Sequence, residues 1–134
     1  MSGVDIIGAL LRGSDTIAAA VPVERIKAGS LPDNTVLPAL LVRSVSLVER
    51  QMLRRGTWVR QSERIAVTVR AGSYREQREI LRLVRNVCAG QLGALAGLGS
   101  SVSSQSAGTG PDVRGPADSF EQTQDFKVSF NALT

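Results

Sequence analysis

Few residues in this chain have side chains suited to catalysis. Among its 134 residues there is no histidine and a single cysteine, Cys88. Without histidine neither a Ser-His-Asp triad nor a Cys/His zinc site can be built, and one cysteine excludes a disulfide within the chain. Cys88 falls on the apolar face of a predicted helix, where a small buried hydrophobe is expected. Asp112 and Asp118 lie in a Gly/Pro-rich loop without an assignable partner. The sequence therefore predicts no enzyme, no cofactor and no metal site.

Protein binding is the chemistry that the sequence does favour. The stretch VERQMLRRGTWVRQSERI, residues 48–65, holds five arginines and the only tryptophan. Arginine and tryptophan are enriched where interfaces concentrate their binding energy. We predict a docking arm over about 49–62, and its expected interface residues are Arg50, Met52, Leu53, Arg54, Arg55, Trp58, Val59 and Arg60. The alternative is a surface loop whose apolar residues fold back onto the body of the protein.

The length of the flanking strands favours an arm that projects. Residues 38–49 and 63–72 both have the composition of β-strands, and together they predict an antiparallel hairpin. Each side of a 39–70 hairpin would run about 50 Å at 3.3 Å per residue. A compact domain of this size is only about 36 Å across. The distal part of the hairpin should therefore extend beyond the core.

A second row of arginines lies on the predicted helix 74–92. Arg75, Arg78, Arg82 and Arg85 share its exposed side with Glu76 and Glu79. One interpretation is a solvated face with ion pairs at helical spacing. The other is a subunit interface.

Overall charge is mildly basic and strongly biased toward arginine. The net charge is +4, with 14 arginines and two lysines. Arginine suits protein interfaces and phosphate groups better than lysine, so a small basic nucleic-acid-binding module that uses the arm as a β-ribbon remains an alternative. The N-terminal apolar run is too short and interrupted for a signal peptide or membrane helix. We expect a soluble protein of the cytoplasm without membrane contact.

Three helices are predicted to support these residues. Apolar spacing predicts a helix over 3–12 and a short one over 14–20, which Ser14 or Asp15 would cap. The clearest helix begins after Ser73 with a capping box and ends before Gly90. Its apolar stripe is Ile80, Leu81, Val84, Val87 and Cys88.

The predicted strands form a mostly antiparallel sheet. Strand 63–72 alternates, with Ile65, Val67 and Val69 toward the core and Arg64, Ala66, Thr68 and Arg70 toward solvent. The last segment, 119–132, is a core strand. Burial of one face favours a hairpin register with Ile65 opposite Leu47, a three-residue tip centred on Gly56, and Arg54 across from Trp58. A two-residue turn at Arg55-Gly56 is the alternative, and it would place Ile65 opposite Ser46.

These elements predict a single α+β domain over 1–134. Its sheet of four to five strands carries the long projecting hairpin and packs against two to three helices. The Gly/Ser-rich stretch of about 93–117 is predicted to be a flexible loop, with room for one short strand near 100–106.

The order of these segments resembles the tail-completion, or tail-terminator, family of long-tailed phages and prophages. The motifs are Arg25-Ile26 followed by Leu31-Pro32 and Leu37-Pro38, then the strand-to-helix junction AGSYREQREI, then Asp125-Phe126 in the last strand. The resemblance spans about residues 4–131. The long 93–116 stretch and the arginine-rich hairpin tip depart from the family pattern.

The resemblance implies a structural virion protein of the lambda tail-terminator type. Such a minor tail protein would be made in the host bacterial cytoplasm and would form a homo-oligomeric ring, expected to be hexameric. The ring would cap the tail tube protein at the head-proximal end, stop tube polymerisation and join the head–tail connector proteins at the neck. DNA would pass through the lumen without sequence-specific binding. A connector or adaptor ring of a neighbouring type is the alternative within the virion.

Overall fold

The computed structural model of the chain describes residues 2–93 and 102–133. Within them three α-helices pack on one face of a seven-stranded sheet. The helices are α1 (Gly3–Arg12), α2 (Asp15–Ala20) and α3 (Tyr74–Cys88). The strands are β1 (Ile26–Ala28), β2 (Ala39–Arg50), β3 (Trp58–Ala71), β4 (Gln91–Gly93), β5 (Val102–Thr109), β6 (Val113–Arg114) and β7 (Phe120–Leu133).

The sheet is mostly antiparallel, as predicted. Six strands follow the order β1-β2-β3-β7-β5-β4, and β6 pairs with β7. Among the described strand pairs, β1 with β2 is the one parallel pair. The strand count exceeds the prediction because β1, β4 and β6 have three, three and two residues, too few to show a period-2 pattern in sequence.

Apolar spacing predicted all three helices, and capping signals were recognised only at the starts of α2 and α3. The Ser2 hydroxyl accepts the Asp5 N–H, and the Asp5 carboxylate accepts the Ser2 N–H, which forms a capping box at α1. Ser14 and Ser73 are the N-caps of α2 and α3. At α3 the Glu76 carboxylate accepts from Gly72 N–H rather than from Ser73 N–H, so the predicted box is only half formed.

The core lies between the helices and one face of the sheet. Ile65, Val67 and Val69 of β3 and Phe126, Val128 and Phe130 of β7 are all fully buried there. They meet Ile6, Ile7 and Leu11 of α1 and Ile80, Leu81, Val84 and Cys88 of α3. The predicted apolar stripe of α3 is therefore confirmed, with Val87 at its partly buried edge.

A carboxylate of the sheet fixes the start of α1. Glu63 is buried, and its Oε1 accepts the Gly3 N–H at 2.7 Å. The negative charge satisfies an unpaired N–H and complements the positive end of the helix dipole. A Cβ at Gly3 would lie 2.8 Å from that oxygen, so only glycine permits this approach. The Glu63–Gly3 contact was not predicted, because the two residues are 60 positions apart.

The opposite face of the sheet is less exposed than the alternation predicts. Ala66, Thr68 and Arg70 are only 1%, 6% and 6% exposed, so their predicted solvent exposure is wrong. Arg70 donates to the Pro32 carbonyl oxygen at 2.9 Å, and Thr68 bonds Thr123 across the strands. The loop before β2 and the cross-strand polar pairs therefore cover this part of the face.

Both predicted hairpin registers are wrong. Ile65 lies opposite Ser44 and Val67 opposite Val42, and a β-bulge at Val45 shifts the pairing beyond that point. The tip has seven residues, 51–57, rather than two or three. Arg54 therefore lies outside the strands and not across from Trp58.

Part of the predicted flexible loop forms strands. β5 spans Val102–Thr109 and pairs with β7, and β6 lies at Val113–Arg114. The predicted short strand near 100–106 is thus real but shifted toward the C-terminus, while residues 94–101 fall outside the described part. Among the described helices, none is long and apolar enough to cross a membrane.

Candidate protein-docking surface

The outer half of the β2–β3 hairpin carries the predicted interface residues. We call residues 49–62 the arm and residues 51–57 its tip loop. Six of the eight predicted interface residues are exposed, and Val59 and Arg60 are half-buried. Met52 is 73% exposed, Trp58 59%, and Leu53 is fully exposed. The alternative interpretation required the apolar side chains of the tip to fold back onto the body, and these exposures show that they do not.

The strand leading into the arm is exposed on both of its faces. Every residue of β2 from Arg43 to Arg50 is exposed, including the apolar Val45, Leu47 and Val48. Consecutive strand residues point to opposite faces, so Leu47 and Val48 expose apolar side chains on both faces of β2. β1 pairs only with Leu40–Val42, so within the described chain no strand pairs with the outer edge of β2 beyond that point.

β7 runs beside β3 along its whole length and supports the arm. Trp58 pairs with Leu133 and Ala71 with Phe120. Arg60 donates to the Asn131 side chain, and Ser62 bonds Ser129 at 3.0 Å. A bare two-stranded ribbon is marginal in water, so a third strand gives the arm a rigid base. The sequence predicted the last strand but not its place beside the hairpin.

A small cavity forms between the tip loop and the start of β3. Its volume is about 310 Å³, and its lining includes Met52, Arg55, Trp58 and Val59 with Glu49 and Gly56. Four of the predicted interface residues thus come together, whereas Leu53 and Arg54 do not line it. The mixture of aromatic, thioether and guanidinium groups suits insertion of a side chain from another protein.

Charge in the arm is unbalanced. Residues 49–60 contain four arginines and one glutamate. Arg50 lies directly opposite Arg60 in the ladder, and like charges at such positions destabilise a strand pair. Glu49 accepts a hydrogen bond from the Gln61 side chain. The arm therefore presents a cationic surface.

The arginine row of α3 is also exposed, and internal contacts occupy part of it. Arg82 donates to Glu79 at 2.6 Å. That hydrogen bond and the Arg82 charge lower the pKa of Glu79. The same hydrogen bond and the Glu79 charge raise the pKa of Arg82. Arg78 donates to the Tyr74 hydroxyl and lies 5.7 Å from the ring centroid. Arg75 and Arg85 are exposed beside them, and a subunit interface along this row stays a prediction.

A buried amide network, which the sequence analysis missed, anchors the loop before β7. Gln77 of α3 is fully buried and donates to Asp112 and to Gln122 of β7. Asp112 also accepts from the Tyr74 hydroxyl at 3.2 Å. Asp112 thus has partners that sequence spacing could not assign. One feature of the sequence could have predicted this network: Gln77 and Gln122 occupy buried positions at which apolar residues are expected in the helix and the strand.

Burial of Cys88 agrees with its predicted place in the core. The side chain is fully buried, and burial raises the pKa of its thiol to about 12. A protonated buried thiol is a poor nucleophile. Within the described residues no group of histidine, cysteine or acidic side chains could hold a metal ion.

The raised pKa of Cys88 predicts a loss of stability at alkaline pH. Below about pH 9 the Cys88 thiol keeps its proton in both the folded and the unfolded chain. Between about pH 9 and 12 the unfolded chain loses that proton while the folded chain keeps it. The free energy of unfolding should then fall by up to about 1.4 kcal/mol per pH unit.

Chemical denaturation of the wild type and of Cys88→Ala at several alkaline pH values measures this contribution. The difference between the two stabilities should shrink as the pH rises above 9. Parallel pH dependences of the two proteins would contradict the buried thiol.

The overall fold is shared with a protein of a virus-like particle. The chain is similar to a protein chain in the solved structure "Virion of native gene transfer agent (GTA) particle", with a TM-score of 0.67 at 12% sequence identity. The match covers 94% of this chain and 92% of that chain. At this identity the likeness shows a common fold. No protein-family model and no curated protein sequence matches the chain.

Proposed function

We propose that this chain is a structural virion protein that forms a ring and terminates the tail tube of a phage-like particle. The observation that carries this proposal is the likeness to a virion chain over nearly the whole length of both proteins. The order of sequence motifs, which resembles tail terminators, supports the finer assignment. The exposed apolar and cationic arm supplies the surface that an assembling subunit needs.

Termination follows from binding geometry and needs no reaction. The ring would bury the open end of the tube at its head-proximal side, so that the next tube subunit finds no surface to add to. A closed ring of identical subunits requires a head-to-tail interface, in which two different patches of each subunit meet. The other side of the ring would bind the head–tail connector, and DNA would pass through the lumen without base contacts. We assign no catalytic role and no cofactor.

The arm is the element that would make the contacts between subunits or with the tube. Its exposed strand, its tip cavity and its third supporting strand suit a rigid extension from the helix-covered core. In this proposal residues 49–62 project from the body of the subunit.

Tube polymerisation in the presence of the purified chain tests this function. Tail tube protein from the same particle is polymerised with and without the chain, and tube lengths are measured by negative-stain electron microscopy. A terminator should shorten the tubes in a dose-dependent manner and appear as extra density at one end. Unchanged lengths together with binding to the isolated head connector would favour an adaptor ring. DNA affinity that falls steeply with salt would favour the nucleic-acid-binding alternative.

A further inference from the structure

A second surface of the chain has the opposite character to the arm. We call residues 111–118, between β5 and β7, the acidic loop. It carries Asp112 and Asp118 against one arginine, Arg114. The Asp118 carboxylate lies 3.7 Å from the Arg114 guanidinium, yet its side chain is 98% exposed, and Val113 is 52% exposed. The acidic loop therefore combines carboxylates with an apolar side chain, whereas the tip combines guanidinium groups with apolar side chains.

The acidic loop has a fixed shape. Asp112 accepts hydrogen bonds from Tyr74 and Gln77, and the Arg114 guanidinium lies 4.2 Å from the Phe120 ring centroid. Ala117 and Asp118 both have positive φ, 54° and 59°. Two consecutive non-glycine residues in this region are strained, and such strain concentrates at functional surfaces.

The arm and the acidic loop of one molecule cannot meet. Trp58 lies at one end of β3, while Ala71, at the other end, pairs with Phe120, and β6 of the acidic loop pairs with Phe120 and Glu121. The 14 residues of β3, at about 3.3 Å each, separate the two surfaces by about 40 Å. A contact between them must therefore join two molecules, and because the two surfaces differ, it is head-to-tail.

We propose that the tip of one copy binds the acidic loop of a second copy. The exposed carboxylate side of the loop would lie against Arg54 and Arg55 of the tip. Val113 would pack against the exposed Met52, Leu53 and Trp58. The inference rests on the proposed function in one respect: repeated contacts of this kind would close the proposed ring.

Charge reversal on each side tests the pairing. The tip variant is Arg54→Glu with Arg55→Glu, and the loop variant is Asp118→Lys, with Asp112 left unchanged because its carboxylate accepts from Gln77 and Tyr74. Self-association of nucleic-acid-free, full-length protein is measured by sedimentation velocity at low salt. Each variant alone should associate at least about 10-fold more weakly than the wild type, because like charges then face each other. The matched control reverses two exposed charges elsewhere, Asp15→Lys with Glu24→Lys, and should associate as the wild type does.

A mixture of the two variants gives the decisive measurement. In an alternating assembly every contact pairs opposite charges again, so the mixture should recover association that neither variant shows alone. Failure of the mixture to recover, with both variants folded by circular dichroism, would overturn the pairing. Normal association of either single variant would also overturn the pairing. A wild type that stays monomeric at about 1 mM would do the same, because association with a millimolar dissociation constant would be detectable at that concentration.

The tube-capping measurement separates the two proposals. Capping that is insensitive to both reversals would leave the terminator assignment in place and reject the tip–loop contact. Recovery in the mixture without any effect on tube length would establish the contact and reject the terminator.

Discussion

Val84→Asp should unfold the protein. Val84 is completely buried between α3 and the sheet. A carboxylate there would lose its hydration with no partner, and burial of an unpaired charge is among the most destabilising single changes. The expected loss is about 4 kcal/mol or more, against a total of about 5–15 kcal/mol for a typical domain. Circular dichroism during thermal and urea unfolding measures it.

Asn86→Asp is the matched control for this substitution. It adds the same charge two residues later on the same helix, at an exposed position. Its stability should stay within about 0.5 kcal/mol of the wild type. Equal melting temperatures for Val84→Asp and the wild type would mean that α3 packs through a different face.

Trp58→Ala combined with Arg54→Ala should abolish assembly and leave the fold intact. Trp58 is 59% exposed and Arg54 is exposed, so neither supports the core. Aromatic and arginine residues at the centre of an interface each contribute about 2 kcal/mol or more to binding. The pair should therefore weaken association by at least about 30-fold. Sedimentation velocity and the tube-length measurement report this loss, and the melting temperature reports folding.

A control for the arm removes an apolar and a cationic side chain elsewhere. Val36→Ala with Lys27→Ala alters two exposed residues, one in the loop before β2 and one in β1, which pairs with the start of β2 away from the tip. Assembly of this variant should match the wild type. Normal assembly and tube capping by the Trp58/Arg54 variant would remove the arm from the mechanism.

Helix positions and the composition of the core were predictable because local chemistry determines them. Ser14 and Ser73 mark helix starts through hydrogen bonds that reach only three residues along the chain. The alternation of Ile65, Val67 and Val69 follows directly from the pleat of a strand. The tip side chains Met52, Leu53 and Trp58 are exposed, whereas the projection of the hairpin beyond the core stays a prediction.

The hairpin register was not predictable from alternation. β2 buries only its first residues, up to Val42, so its outer half gives no burial signal to fix the pairing. The bulge at Val45 then inserts one residue and reverses the faces of those that follow. Contacts between residues far apart in sequence could not be predicted either, because local patterns carry no information about them. Glu63 with Gly3, and Gln77 with Asp112 and Gln122, pair residues more than 30 positions apart.

The bulge at Val45 also bears on how the protein avoids precipitation. From Arg43 to Arg50 the described strands leave one edge of β2 open, and a flat open edge with valine and leucine side chains is a template for amyloid-like stacking. An extra residue twists the strand out of the flat geometry that such stacking requires. The register shift that sequence alternation could not predict therefore makes the open edge of β2 a poorer template for stacking.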